Sequence, residues 1–139
     1  MIASRNLVVA AAISAGSALL SAQPVDAFEL TGAWATSADQ CNKVFARKGR
    51  AKQVWFTNFS GVYGGGFIAE PDRLRGKFES CKITTKKQND QTINMVAACA
   101  SGIMLSSVQF FVKVIDDNTI SREFPGMDGM EVKYHRCQI

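Results

Sequence analysis

The sequence predicts an all-β domain: a small, eight-stranded, antiparallel up-and-down barrel with one short helix and two disulfides. Three observations carry this. Beyond residue 27 the chain is a series of short runs with period-two alternation, separated by Gly, Asn, Asp and Pro, the pattern of strands half-buried against one core. Two of the separators, KKQNDQT and VIDDNTI, are tight-turn sequences joining consecutive strands, which favours a meander that closes on itself. Four cysteines, all beyond residue 40, form an even set that reads as two disulfides in an exported chain.

The N-terminus supplies the export reading. MIASRNLVVAAAISAGSALLSAQPVDA has a basic residue at Arg5, an apolar run from Leu7 to Leu20 and small residues at Val25 and Ala27. That is the layout of a secretory signal peptide over residues 1–27, and the apolar run is short for a membrane span, which needs about 20 residues. Removal after Ala27 leaves a single domain at 28–139, large enough to bury a core without a metal. The whole chain has a net charge of +4. The leader removes one Arg and one Asp, so the charge is unchanged by cleavage. A balance this modest does not form the concentrated basic stripe of a nucleic-acid binder. The expected location is periplasmic or secreted, and the expected state a monomer.

Taken in order, the predicted strands lie near Thr31–Ser37, Lys52–Ser60, Gly66–Glu70, Leu74–Lys86, Gln91–Ala100, Met104–Ile115, Thr119–Phe124 and Met130–Cys137. Ala38–Arg47 reads as the short helix, with Ser37 or Asp39 as its cap. VYGGGF carries Gly64, Gly65 and Gly66. A strand-like run follows rather than a helix with a lysine, so this is a glycine hairpin or bulge rather than a phosphate loop.

The stretch from Cys81 to Cys99 decides how the cysteines are used. With a hairpin centred on Asp90, Cys81 faces Cys99, Ile83 faces Ala97 and Thr85 faces Met95. One face then carries Cys81, Ile83, Ile93, Met95, Ala97 and Cys99; the other carries Lys82, Thr84, Lys86, Thr92 and Asn94, with Val96 and Ala98. The register that pairs the cysteines also sorts apolar from polar, and a one-residue slip spoils both. Zinc needs four N or S ligands, usually including a close cysteine pair. A redox dithiol needs C-x-x-C. The sequence has neither spacing, and His135 is its single histidine. Cys81–Cys99 is therefore read as a disulfide. In the last strand Met130, Val132, Tyr134 and Arg136 share one face while Cys137 lies on the other, so Cys137 turns outward toward Cys41.

LTGAW places Gly32-Ala33-Trp34 in the first strand, and Arg136 lies on the inward face of the last. In this the chain resembles lipocalins and related calycin barrels, which begin with G-x-W and close one end with a late Arg packed across that Trp. The resemblance implies that Trp34 and Arg136 form a barrel-closing pair, which suits the attraction of a guanidinium to an indole face. The compact, disulfide-tied barrel is also similar to small bacterial envelope barrels that inhibit proteases or lysozyme. ASGIML at Ala100–Leu105 resembles a Ser-Gly loop of the lysozyme inhibitors, but without the aromatic residue that follows it there, so Ser101 is not carried over.

No cofactor, metal ligand or catalytic residue is assigned. Asp116–Asn118 reads as a hairpin turn without calcium-loop spacing. His135 alternates to the outside, and no nucleophile motif accompanies it. Arg47, Lys48, Arg50, Lys52, Lys82 and Lys86 are the candidate anion-binding surface. The function expected is non-enzymatic binding of a protein or an anionic envelope component, most simply as an inhibitor-type module. The alternatives are a carrier of a small apolar ligand inside the barrel, or a structural envelope protein.

Overall fold

The computed structural model of the chain describes residues 27–139. Apart from Ala27, the leader expected over residues 1–27 lies outside the described residues. Ten strands form: β1 Gly32–Ala35, β2 Phe45–Lys48, β3 Gln53–Phe56, β4 Gly66–Glu70, β5 Arg73–Arg75, β6 Ser80–Asn89, β7 Thr92–Ser101, β8 Met104–Asp116, β9 Thr119–Glu123 and β10 Glu131–Cys137. Eight of them, β1 and β4 to β10, close into an antiparallel barrel in which β10 pairs with β1 and β1 with β4. The hairpin β2–β3 is inserted between β1 and β4 as a separate two-stranded sheet. The barrel is therefore the expected up-and-down meander, and closure gives each of its strands a neighbour on both sides, though not along the whole length of β8.

Two of its strands arise differently from the sequence expectation. The segment Lys52–Ser60 contributes only Gln53–Phe56, and that strand belongs to the outer hairpin. The long strand expected at Leu74–Lys86 divides into β5 and β6 around a turn in which Gly76 N–H donates to Glu79 O at 2.9 Å. One strand leaves the barrel and another is gained, so the number stays at eight. The helix expected at Ala38–Arg47 is a single 3₁₀ turn, Ala38–Gln40, followed by α1 Cys41–Val44. It stops because Phe45 turns extended to bury its ring against Phe56, with 5.2 Å between centroids.

The Cys81 hairpin has the predicted register at its base, with Cys81 opposite Cys99 and Ile83 opposite Ala97. A bulge between Ile83 and Thr85 then shifts the pairing by one, so Thr85 faces Val96 rather than Met95, and Lys86 faces Met95. The extra residue shortens the connection to Asp90-Gln91, closed by Asn89 opposite Thr92, with Asp90 at a φ of 46°. A two-residue hairpin needs such a left-handed position, and Asp tolerates it better than most residues.

Two apolar cores result. Inside the barrel Trp34, Ile93, Met95 and Ile120 are fully buried, with Leu74, Ala97 and Val112 around them. Outside it, Val44, Phe45 and Phe56 pack against Ala33, Ala35 and Ile68, the outward-facing residues of β1 and β4. Cys41–Cys137 and Cys81–Cys99 are both disulfides, and among the described residues no cysteine is free. The first ties α1 to β10 at the edge of the outer core; the second links β6 to β7 across the barrel wall. Two such bridges fit an oxidising, extracytoplasmic compartment.

Candidate functional site

The two ends of the barrel differ. At one end Arg136, directly opposite Trp34 in the β1–β10 ladder, lays its guanidinium over the indole at 4.4 Å and over Phe28 at 5.6 Å. Its Nη1 donates to Thr31 O at 2.9 Å, Nη2 to Glu29 O at 2.6 Å and Nε to Asp117 O at 3.1 Å. One side chain thus holds the N-terminal segment and the β8–β9 turn across this end. Glu29 sits in the same strap. Hydrogen bonds from the Thr31 hydroxyl and backbone N–H hold its carboxyl below the ordinary glutamate range.

The other end carries the β5–β6, β7–β8 and β9–β10 connections, and three features meet there. The first is a free strand edge. β8 pairs with β7 from Met104 onward, but its pairing with β9 begins only at Phe111. Val114 N–H donates to Gln91 O, on β7's side. Antiparallel strands alternate hydrogen-bonding direction residue by residue, so Val112, Phe110, Val108 and Ser106 also address β7. Leu105, Ser107 and Gln109 point their N–H and C=O groups away from it. Among the described residues no strand takes those groups. The edge lacks the usual guards of lysine, proline or a bulge. From Thr92 to Val112 the hairpin has no Asp, Glu, Lys or Arg.

The second feature is the hairpin tip. Ile103 is fully exposed, and Met104 and Leu105 are 71% and 84% exposed. Ser80 lies opposite Ala100, which carries Phe78, 80% exposed, to the level of the tip. Large apolar side chains offered together at one end are the mark of a contact surface rather than of scattered exposure.

The third feature is a cavity of about 210 Å³ inside the barrel mouth, walled by Phe67, Met95, Phe110, Ile120, Tyr134 and Arg122. Phe67 stacks on Trp34 at 6.4 Å and meets Tyr134 edge-on at 5.0 Å. Arg122 occupies an inward position, two residues from the buried Ile120 and opposite the buried Val112. Its guanidinium lies 4.3 Å from the Phe110 ring and 4.8 Å from Phe124, and its Nε is buried without a hydrogen-bond partner. Arg75 also borders the cavity, but on a strand whose Leu74 turns inward. It ion-pairs with Glu70 at 3.0 Å and covers Trp55 at 4.6 Å.

The six basic residues singled out in the sequence are distributed over three places. Arg47, Lys48, Arg50 and Lys52 lie on the outer β2–β3 hairpin and its turn. Arg47 donates to Ile139 O and Lys52 O, and Lys48 to Phe56 O, so two of the four are engaged in holding the hairpin. Lys82 faces outward, opposite the exposed Ala98. Lys86 does not share that face. The bulge sets it opposite the buried Met95, at the closed end near Glu29. Glu79 comes close to the sulfurs of Cys81 and Cys99, but both sulfurs are consumed in a disulfide and offer no thiolate to a metal. His135 lies on the outward face of β10, opposite Ala35 and Thr119.

The free β8 edge and Arg122 were not singled out from the sequence. Arg122 left a signal: in TISRE it falls at the inward position that Ile120 defines, where a charge is out of place. The edge left none, because a gap in pairing depends on where β9 ends in space.

Comparison with known proteins returns no family model, curated protein or solved structure that matches this chain.

Proposed function

We propose that this is an exported, non-enzymatic binding module of the cell envelope, of inhibitor type, which takes an extended segment of a protein partner along the free edge of β8. The observation that carries this is the unguarded edge at Leu105, Ser107 and Gln109, beside the apolar tip Ile103–Leu105 and Phe78. A strand added there receives main-chain hydrogen bonds from the edge and apolar contacts from the tip, which is recognition by β-augmentation. Kinship with the calycin barrels is part of the proposal, supported by the Trp34–Arg136 closure. Periplasmic or secreted residence is supported by the two disulfides. A second reading, a carrier of a small ligand, is favoured by the cavity at the same end.

Ser107→Pro tests the edge. It removes an N–H directed away from β7 and leaves the β7–β8 ladder whole, a placement that edge strands tolerate. Wild type and variant, each with its melting temperature measured, are immobilised and exposed to envelope extract. The captured protein is then purified and its binding measured against both. Wild type should bind it and show slowed hydrogen exchange at Leu105, Ser107 and Gln109, while the proline variant should stay folded and lose it. Equal binding by both rules out the edge. Concentration-dependent dimerisation abolished by the proline assigns the edge to a second copy instead.

A further inference from the structure

We infer that the barrel cavity is a binding site for a small apolar monocarboxylate, whose carboxylate is received by Arg122 and whose body fills the space among Phe67, Phe110 and Tyr134. The inference rests on the cavity alone and stands whether or not the β8 edge takes a partner.

Arg122 is the anomaly that points to it. A guanidinium is always charged, and placing it on the inner face of a barrel removes part of its hydration. Structures compensate such a group with a carboxylate or a full set of hydrogen bonds. Among the described residues the single salt bridge is Arg75–Glu70, so Arg122 has no carboxylate partner, and its Nε is buried without a hydrogen bond. The Phe110 and Phe124 rings at 4.3 and 4.8 Å hold its plane without satisfying its N–H groups. What remains to be supplied is an acceptor in the cavity. A carboxylate matches the guanidinium fork with two parallel, charge-assisted hydrogen bonds.

Size and walls set the rest of the ligand. About 210 Å³ corresponds to roughly seven water molecules, room for a ring and a short linker rather than a long acyl chain. The walls are aromatic and aliphatic apart from Arg122, Arg75, the Tyr134 hydroxyl and one carboxylate, Glu79. Glu79 is a like charge to any second anionic group on the ligand, so the site should prefer a monoanion to a dianion. Arg75 also lines the cavity and its Nε is likewise without a partner, but its charge is already balanced by Glu70 at 3.0 Å, so it offsets Glu79 less than a free guanidinium would.

The test uses the purified protein with phenylacetate, its neutral amide phenylacetamide and the dianion phenylmalonate, followed by calorimetry and by NMR of the Met95 and Ile120 methyl groups and the Arg122 side-chain N–H. Phenylacetate should bind saturably and shift all three reporters. The amide and the dianion should each bind at least tenfold more weakly. Arg122→Gln should lower phenylacetate affinity to that of the amide while leaving the amide unchanged, and Arg122→Lys should retain part of the difference. If Arg122→Gln does not fold, the acid–amide comparison on wild type decides alone. Equal affinity for acid and amide, shifts confined to residues outside the cavity, or no binding by phenylacetate overturns the assignment.

Discussion

Trp34 and Arg136 face each other across the β1–β10 ladder with the guanidinium 4.4 Å from the indole centroid. The Trp34 Nε1–H donates to Leu30 O at 2.8 Å, so both side chains anchor the same N-terminal segment. Gly32, at a φ of 136°, brings its Cα close to this pair, where an added Cβ would lie 3.3 Å from an Arg136 nitrogen. Trp34→Ala should cost roughly 3–5 kcal/mol for a fully buried aromatic. Arg136→Ala should cost less. In urea melts the double variant should be less destabilised than the sum of the singles, because stacked partners couple. Strict additivity would show that the two act independently.

Glu29 predicts a pH dependence at the same end. Its carboxyl is held below the ordinary glutamate range, first by the Thr31 side chain and then by the Thr31 backbone N–H. The depressed folded-state pKa means that its contribution is present above the unfolded-state value, about 4.3, and is lost as pH falls through the folded value. Thermal melts between pH 6 and 3 should show Glu29→Gln losing less stability on acidification than wild type. Parallel curves would exclude Glu29 as a contributor.

The two disulfides should differ in worth. Cys41–Cys137 spans 96 residues and Cys81–Cys99 spans 18. In the chain-entropy account the longer loop contributes about 1.5 kcal/mol more. Replacing Cys41 and Cys137 by Ser should therefore lower the denaturation midpoint further than the same change at Cys81 and Cys99. The reverse order would place the larger effect in local strand pairing.

The outer hairpin should be separable from the barrel. Phe45 and Phe56 are its buried contacts with β1 and β4. Phe45→Ala should cost about 3–5 kcal/mol and raise hydrogen exchange in β2 and β3 before it does so in β7 and β8. Uniform loss of protection would show that the two cores unfold as one unit.

The exported form should begin at Phe28, whose ring lies under Arg136 and 6.2 Å from Trp34. N-terminal sequencing of protein recovered from outside the cytoplasm checks this. A start at Gln23, after Ala22, would move the cleavage point.

Features that depend on local alternation were legible in the amino-acid order. Ile93, Met95, Ala97 and Cys99 fall on one face because side chains alternate along a strand, and that alone placed Cys81 opposite Cys99 and turned Cys137 outward. The same logic made the Asp117-Asn118 turn legible, where Asn118 N–H bonds the Asp116 carboxylate at 2.8 Å. Features that depend on neighbours distant in the chain emerged only on folding. Phe45 left the expected helix because Phe56 was available to cover its ring. The bulge after Ile83 moved Lys86 to the face of Met95, since the strand had to follow the curvature of a closed wall. The candidate sites belong to this second class. The β8 edge exists only because β9 ends its pairing at Glu123, opposite Phe111. Arg122 became conspicuous only when closure of the barrel enclosed it with Phe110 and, among the described residues, paired it with no carboxylate.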